Sequence, residues 1–302
     1  MHFEEGQGVI TVKGWKKMRN VTVAATQMSC SWDRDETLNK AEKLVREAAA
    51  KGAQIILLQE LFETPYFCQR QNPRYRDLAT ELGENSAVKL FQSVAKELSV
   101  VLPVSFYEKH GNTAFNTVAV IDADGSILGT YRKTHIPDGL PYAEKFYFTP
   151  GDTGFRVFST KYAKIGIGIC WDQWFPETAR CLALLGAELM LFPTAIGTEI
   201  VLPIDSRRHW QRCMQGHAAA NVMPVIASNR IGSEEDVTDM TFYGSSFITD
   251  ETGELVEEAD TDSQMILTHT FDLDEIAIRR RDWGIFRDRR PKTYQLLLTH
   301  GE

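Results

Sequence analysis

Three residues of the chain, Glu60, Lys133 and Cys170, belong to the types that nucleophilic acyl chemistry needs. A thiol attacks a carbonyl carbon as the thiolate, so it needs a nearby base and a positive charge. A carboxylate accepts the S–H proton and later activates water, and an ammonium stabilises the tetrahedral oxyanion. The three side chains therefore predict a cysteine hydrolase that requires no histidine.

Cys170 lies at a turn between a predicted strand and a predicted helix. Branched apolar residues alternate with glycine over residues 165–169, which indicates a covered strand that lets another backbone come close. Pro176 suits the first turn of a helix. We therefore expect the thiol at the carboxyl end of a strand, beside N–H groups and a helix start that lower its pKa and hold an oxyanion.

Glu60 and Lys133 also follow predicted strands. Residues 55–58 are fully apolar and are followed by Gln59 and Glu60, and Lys133 comes directly after a strand predicted over residues 127–131. The carboxyl edge of a buried strand is where open α/β sheets place their sites. We expect the three reactive side chains to meet at such an edge.

Hydrophobic periodicity predicts the elements that must position these side chains. Helices are predicted over residues 35–51, 86–98, 176–185 and 205–221, and a short basic helix follows residue 272. Strands are predicted over residues 21–27, 55–58, 100–107, 114–121, 127–131, 165–169, 188–192, 225–228 and 265–272, with a hairpin over residues 247–256.

Two segments of the first half are echoed in the second. Residues 52–58 resemble residues 186–192, and residues 122–128 resemble residues 250–256. Two similar halves of helices and hairpins predict an α/β fold, a four-layer α-β-β-α sandwich of two mixed sheets with an internal pseudo-repeat. With no linker in view, residues 20–302 are assigned to one domain with a C-terminal arm from about residue 282, and residues 1–19 to a poorly ordered extension.

Composition excludes several classes of protein. With 302 residues, of which 43% are hydrophobic, the chain can bury a substantial core, and a net charge of −8 argues against a nucleic-acid partner. No apolar run reaches the ~18 to 20 residues that span a bilayer, so no membrane partner is expected. Five cysteines without a CxxC pair favour a cytoplasmic location. His209 and His217 lack zinc-type spacing, so we expect no metal.

Three motifs in this sequence resemble those of the nitrilase superfamily of carbon–nitrogen hydrolases, and the likeness covers nearly all of residues 21–298. The motifs are residues 59–62, 131–135 and 168–172. The resemblance implies the α-β-β-α fold, no cofactor and a homo-oligomer built through the helix after the cysteine and the C-terminal arm. It also implies that Glu60 is the general base, Lys133 the oxyanion stabiliser and Cys170 the nucleophile, with Glu144 as a second glutamate.

The residues after the cysteine bear on the substrate. Superfamily members that cleave carbamoyl amino acids tend to carry an arginine there to pair with the substrate carboxylate, whereas this chain has Gln173 and Trp174. Arg207 or Arg230 remains open as a replacement. Within the superfamily, the chain resembles the branch that hydrolyses a small cationic carbamoyl amine.

Such a substrate needs a carboxylate at its far end and an apolar sleeve between. Glu199, in the loop after the strand that follows the cysteine helix, is the first choice as cation anchor. Tyr142 and Trp171 are expected to line the sleeve, and the Trp171 N–H is a candidate second oxyanion donor. The reserve anchors are Glu63, Asp138 and Glu177.

Three alternatives stay open. The first is another amidase branch that acts on carboxylate-bearing carbamoyl compounds or dicarboxylate monoamides. The second is a catalytically silent scaffold, and the third is a papain-like hydrolase that uses His135 or His217 as its base. The local contexts of the papain-like family are absent from the sequence.

Overall fold

The computed structural model of the chain describes residues 18–200, 204–234 and 240–301, so most of the predicted N-terminal extension lies outside it. The helices are α1 (Arg34–Ala50), α2 (Ser86–Leu98), α3 (Pro176–Leu184), α4 (Ser206–Asn221) and α5 (Leu273–Trp283). The strands are β1 (Asn20–Gln27), β2 (Ile55–Leu57), β3 (Leu102–His110), β4 (Thr113–Ile121), β5 (Ile127–Arg132), β6 (Val157–Ser159), β7 (Lys164–Ile167), β8 (Leu189–Pro193), β9 (Val225–Ser228), β10 (Ile231–Ser233), β11 (Thr241–Tyr243), β12 (Phe247–Thr249), β13 (Leu255–Glu258) and β14 (Met265–Asp272).

The strands form two mixed sheets and a small hairpin. In the first sheet the order β14-β1-β2 continues through a parallel bridge between Ile55 and Val101 into β3-β4-β5. The second sheet has the order β13-β12-β9-β8-β7-β6, and β10 pairs with β11. In both large sheets a parallel trio, β1-β2-β3 or β9-β8-β7, is flanked by antiparallel strands.

Alternation of side chains along the strands builds the layers. The two sheets bury one core between them, to which Val23, Leu57, Ile167 and Leu191 contribute. On the outer face of the first sheet lie the apolar faces of α1 and α2, and on that of the second lie α3 and α4. The predicted four-layer α-β-β-α sandwich is confirmed.

The two halves repeat the same local geometry. After α1, Gly52 has φ +92° and the next N–H bonds the carbonyl of Ala48 at 3.1 Å; after α3, Gly186 has φ +90° and the next N–H bonds the carbonyl of Leu182 at 3.1 Å. Glycine is needed at both helix ends because a side chain disfavours this left-handed conformation. The internal pseudo-repeat therefore extends to single hydrogen bonds.

The strand before Cys170 differs from its prediction in what covers it. A Cβ at Gly168 would lie 2.4 Å from the Phe192 ring, and one at Gly166 would lie 3.0 Å from Leu182 Cβ. The glycines therefore make room for side chains of α3 and β8, not for another backbone as expected.

The chain after α5 is built from turns. Helix α5 runs to Trp283, so the arm predicted from about residue 282 begins inside its last turn, and the later residues form 3-10 turns at Pro291–Thr293 and Gln295–Leu298. Within the described ranges, no helix has the length and apolar character that crossing a membrane requires.

Candidate active site

A buried ion cluster lies where the strand ends of the first half meet. Lys133 Nζ is 2.8 Å from Glu60 Oε1 and 2.7 and 2.9 Å from the two oxygens of Glu144. All three side chains are withdrawn from solvent. Glu60 follows β2, Lys133 follows β5, and Glu144 opens a 3-10 helix, so three separate elements supply the cluster.

Two neutral side chains hold the carboxylates in place. Asn116 Nδ2, on β4, donates to Glu60 Oε1 at 2.7 Å, and the Tyr66 hydroxyl donates to Glu144 Oε1 at 2.6 Å. Glu60 Oε1 thus receives two donors, whereas Glu60 Oε2 is buried and meets no hydrogen-bonding group among the described residues. Glu60 therefore keeps one oxygen available for chemistry.

Burial and charge set the protonation of the cluster. Burial acts to lower the pKa of the Lys133 ammonium, but Glu144 and Glu60 outweigh it and hold that pKa well above its ordinary value. Burial raises the pKa of Glu144 to about 7, and the Lys133 ammonium opposes part of that rise. The lysine stays charged, while Glu144 carries a proton over part of the neutral range.

Cys170 lies at a strained turn, separated from the end of β7 by Gly168 and Ile169. Its φ is +40°, and its Sγ lies 3.6 Å from the carbonyl oxygen of Ala195. Burial raises the pKa of the Cys170 thiol well above its ordinary value, Glu60 adds to the rise, and Lys133 opposes it. The expected lowering of this pKa is therefore wrong, because burial outweighs the nearby positive charge.

Asp172 links the cysteine turn to the lysine segment. Its Oδ2 accepts the Ile169 N–H at 2.9 Å and the Tyr131 hydroxyl at 2.7 Å, and its Oδ1 accepts the His135 N–H at 3.0 Å. The His135 ring lies 2.7 Å from the same Oδ1 and stacks on Phe175. His135 is thus engaged by Asp172, which leaves the papain-like alternative without support from it.

Arg230 supports the backbone around Glu60. Its guanidinium donates to the carbonyl oxygens of Glu60 and Leu61 at 2.7 and 3.0 Å, and to Glu234 at 2.8 Å. Leu61 has φ +48°, so this arginine stabilises a turn in the left-handed region. Because its guanidinium is fully buried and both terminal nitrogens bind protein acceptors, Arg230 is not the free carboxylate clamp that the sequence left open.

The predicted sleeve residues, Tyr142 and Trp171, are both part-buried. Tyr142 packs edge-on against Tyr66, and its hydroxyl accepts the Gly197 N–H at 3.2 Å. Trp171 is part-buried, in the first turn of the 3-10 helix Cys170–Trp174, where N–H groups have no intrahelical acceptor. Both residues therefore lie next to groups of the cluster.

Glu199 is half-buried and close to two tyrosines of this region. Burial raises its pKa, and a hydrogen bond from Ser206 opposes the rise. Burial raises the pKa of Tyr142 and of Tyr243, and the Glu199 and Cys170 charges add to both rises, so both rings lie near the carboxylate and near the thiol. The two rings are therefore candidates to line a ligand that reaches from Cys170 to Glu199.

The reserve anchors are placed less suitably. Glu63 pairs with Arg34 and accepts from Asn85 at 2.7 Å, while Asp138 and Glu177 are exposed. Across the described ranges, no group of three or more histidine, cysteine or acidic side chains is arranged to hold a metal.

His217, the other histidine of the papain-like alternative, lies apart from the ion cluster. Its Nε2 is 2.7 Å from the Gln173 carbonyl oxygen and 3.6 Å from Cys213 Sγ. Its ring therefore supports the segment after Cys170 and gives no support to a histidine base.

Asn116, Tyr66 and Asp172 were not predicted as site residues from the sequence. Asn116 and Thr117 interrupt the apolar pattern of β4 in its buried part, which is the signal that points to Asn116. Tyr66 lies in a turn-rich segment, and Asp172 lies inside a motif read for its cysteine, so neither has a periodic signal of its own.

A match to a family model identifies the family of the chain. The model of the carbon-nitrogen hydrolase family matches residues 22–281. The chain therefore belongs to the carbon-nitrogen hydrolase family, and the resemblance to the nitrilase superfamily is confirmed.

Individual relatives are similar over nearly their whole length. The chain is 55% identical over 289 residues to the N-carbamoylputrescine amidase of Arabidopsis thaliana, covering 94% of this chain and 97% of the relative. It is 55% identical over 280 residues to the citrullinase of Francisella tularensis, covering 92% and 98%. A crystal structure of a carbon-nitrogen hydrolase from Helicobacter pylori G27 superimposes with a TM-score of 0.89 at 37% identity, covering 94% of this chain and 100% of that one.

Proposed function

We propose that the protein hydrolyses N-carbamoylputrescine to putrescine, ammonia and carbon dioxide, as a step of polyamine biosynthesis. The observation that carries this proposal is the half-buried Glu199 carboxylate, which lies near Tyr142 and Tyr243, two rings that also lie near Cys170. The substrate has a carbamoyl group at one end, an ammonium at the other and methylenes between, which match the thiol, the carboxylate and the aromatic rings.

Cys170 is the nucleophile and Glu60 the general base in this proposal. As the sulfur bonds to the carbamoyl carbon, the S–H proton passes to Glu60 Oε2 and the carbonyl oxygen becomes an anion. Glu60 then returns the proton to the leaving nitrogen, the C–N bond breaks, and the carbonyl re-forms as an S-linked intermediate.

The second half of the cycle uses the same carboxylate again. Water gives a proton to Glu60 and attacks the intermediate, which releases the Cys170 thiol and a carbamic acid that loses carbon dioxide. Lys133 stabilises the anionic oxygen in both steps, with the Trp171 N–H as a second donor. Glu144 binds the Lys133 ammonium together with Glu60 and orients the substrate amide.

The role of Glu199 as cation anchor is tested by Glu199→Gln. Removing a partly buried charge partner of the ammonium costs about 1.5 to 3 kcal/mol, so KM for N-carbamoylputrescine rises at least about tenfold while kcat changes little. Glu177→Gln, which alters an exposed carboxylate of α3, serves as the matched control and leaves KM unchanged. An unchanged KM in Glu199→Gln removes this residue from the site.

Citrulline is the second candidate substrate, because identity to the citrullinase is also 55%. Citrulline carries the same carbamoyl amine but adds a carboxylate beside its ammonium, which calls for a cation near Glu199. Arg207, in the first turn of α4, is part-exposed and 4.0 Å from Asp205. If citrulline is the substrate, Arg207→Ala lowers its kcat/KM about tenfold or more; turnover of N-carbamoylputrescine does not depend on this arginine.

An ammonia-release assay over a substrate panel tests the function as a whole. The panel holds N-carbamoylputrescine, citrulline, N-carbamoyl-β-alanine and a dicarboxylate monoamide. We expect kcat/KM for N-carbamoylputrescine to exceed the others by at least about tenfold, because their carboxylates meet Glu199. A higher value for a carboxylate-bearing compound selects the β-ureidopropionase or ω-amidase type, and no release from any amide indicates a binding scaffold.

We also propose a cytoplasmic homo-oligomer. All five cysteines are free thiols, which suits a reducing compartment. Leu184 and Leu185 at the end of α3 are 49% and 55% exposed, and the leucines of Gln295–Leu298 are exposed further, so both segments offer apolar surface to a second copy. Light scattering after chromatography tests this, and a monomeric mass at micromolar concentration contradicts it.

A further inference from the structure

Two unpaired acceptors belong to neighbouring side chains in the buried part of the site. Glu60 Oε2 and Asn116 Oδ1 are both buried, and neither has a hydrogen-bond partner within the part of the chain that the structure describes. Asn116 Nδ2 donates to the other Glu60 oxygen at 2.7 Å, so the two unpaired oxygens belong to side chains that are hydrogen-bonded to each other. Buried polar atoms are rarely left without a donor.

The orientation of the Asn116 amide follows from its partner. The group that faces Glu60 Oε1 must be the NH₂, because a carboxylate oxygen is not a donor, and Lys133 already donates to that same oxygen. The free atom of Asn116 is therefore its carbonyl oxygen. Asn116 and Glu60 together present two unpaired acceptors, which suits a ligand group with two N–H bonds.

The terminal amide of a carbamoyl compound is such a group. The Glu60 and Asn116 side chains are fully buried, whereas Glu199 is half-buried, so the carbon chain runs outward and the NH₂ end lies inward. We propose that Asn116 determines specificity for an unsubstituted amide, with Asn116 Oδ1 and Glu60 Oε2 each accepting one N–H of the substrate's terminal NH₂. This rests on the proposed function, which supplies the carbamoyl group.

The arrangement also serves the proton transfer. Glu60 Oε2 receives the proton of the Cys170 thiol and already faces the nitrogen that leaves as ammonia. Asn116 keeps Glu60 Oε1 occupied, so the free oxygen is the one that transfers the proton. Loss of this second role slows every substrate equally, whereas loss of the N–H acceptor slows only those that carry the N–H.

The test compares N-carbamoylputrescine with its analogue methylated on the terminal nitrogen, using the wild type, Asn116→Ala and Thr117→Val. Thr117 is the matched control: it is the next residue of β4, equally buried, and bonds Glu108 at 2.6 Å instead of Glu60. We expect the wild type to prefer the unmethylated compound at least about tenfold in kcat/KM, the value of one such hydrogen bond. In Asn116→Ala the preference falls below about threefold, and Thr117→Val keeps it.

An unchanged preference in Asn116→Ala overturns the proposal and leaves Asn116 a positioning residue or the partner of a buried water. If Asn116→Ala does not fold, the wild type decides with mono- and dimethylated analogues: a stepwise loss supports the proposal, and turnover of the dimethyl compound within about threefold of the parent overturns it. Failure of the proposed function shows separately, as absence of turnover of N-carbamoylputrescine. The same comparison is then made on the primary amide that the wild type does hydrolyse.

Discussion

The two halves of the sandwich share a scaffold and differ in what they place at its strand ends. The N–H of Gln54 bonds the Thr22 carbonyl at 2.8 Å, and the N–H of Glu188 bonds the Lys164 carbonyl at 2.8 Å, which aligns β1 with β7 and β2 with β8. In this alignment, Met28 in the first half is the positional equivalent of Cys170 in the second half.

In the same alignment Thr194 is the equivalent of Glu60. Extending the likeness of residues 122–128 to residues 250–256 makes the exposed Thr261 the equivalent of Lys133. Each half therefore keeps one part of the chemistry: the first has the carboxylate and the ammonium, the second the thiol. The Glu60 N–H lies 3.4 Å from the Thr194 carbonyl oxygen, so the halves meet at equivalent positions. The comparison teaches that the site is a property of the junction between the halves and not of either half.

The largest expected effect comes from substitutions at Cys170, compared with its equivalent Met28. Cys170→Ala removes the proposed nucleophile, and we expect turnover to fall at least about a thousandfold. Met28→Leu changes the equivalent buried residue at nearly constant volume, which costs less than about 1.5 kcal/mol of stability and leaves turnover near the wild-type value. Ammonia release measures both, and a Cys170→Ala enzyme within tenfold of wild type contradicts the mechanism.

The second position should behave in the same way with a smaller difference. Glu60→Gln keeps the shape of the side chain but removes the proposed general base, so we expect turnover to fall by about a hundredfold or more. Thr194→Val removes a hydroxyl that bonds the Phe192 carbonyl at 3.1 Å, and we expect turnover within about threefold of wild type. Equal losses in the two variants show that the Glu60 effect comes from disturbed packing at the junction.

Glu144, in the half that holds the ion cluster, makes the stability of the protein depend on pH. Its pKa is raised to about 7, mainly by burial, so between pH 4.5 and 7 the folded protein holds a proton that the unfolded chain has lost. The free energy of unfolding therefore falls as pH rises through this range. Urea titrations should show this slope in the wild type and a flatter one in Glu144→Gln; Glu177→Gln is the control and should keep the wild-type slope.

Local pattern carried the sequence prediction of the fold and of the triad positions. Helix α2 has the predicted bounds, and the likeness of residues 52–58 to residues 186–192 leads to the sandwich, because a repeated helix and strand must bury equivalent faces. Glu60, Lys133 and Cys170 were singled out because each is a reactive residue at or near the end of an apolar strand, and their catalytic roles stay predictions.

Contacts between distant segments had no such signal. The pKa of Cys170 depends on how completely other elements cover the thiol, and the partners of Asn116 and Tyr66 are far away in the sequence. Strand β6 and the hairpin β10–β11 were also missed, because strands of three residues are too short to show a period.

The smallest expected effect tests the equivalence of the scaffolds themselves. Gln54 Oε1 accepts the Thr22 N–H at 3.1 Å, and Glu188 Oε2 accepts the Lys164 N–H at 2.8 Å, so two different side chains perform one task in the two halves. Gln54→Ala and Glu188→Ala should each lower the free energy of unfolding by about 1 kcal/mol, because the part-exposed pair of Glu188 with Arg19 adds little. Turnover should stay within about twofold of wild type in both, since neither side chain touches the ion cluster. Urea unfolding and ammonia release measure the two quantities, and a loss of turnover in only one variant would mean that the strand it supports positions the site and its counterpart does not.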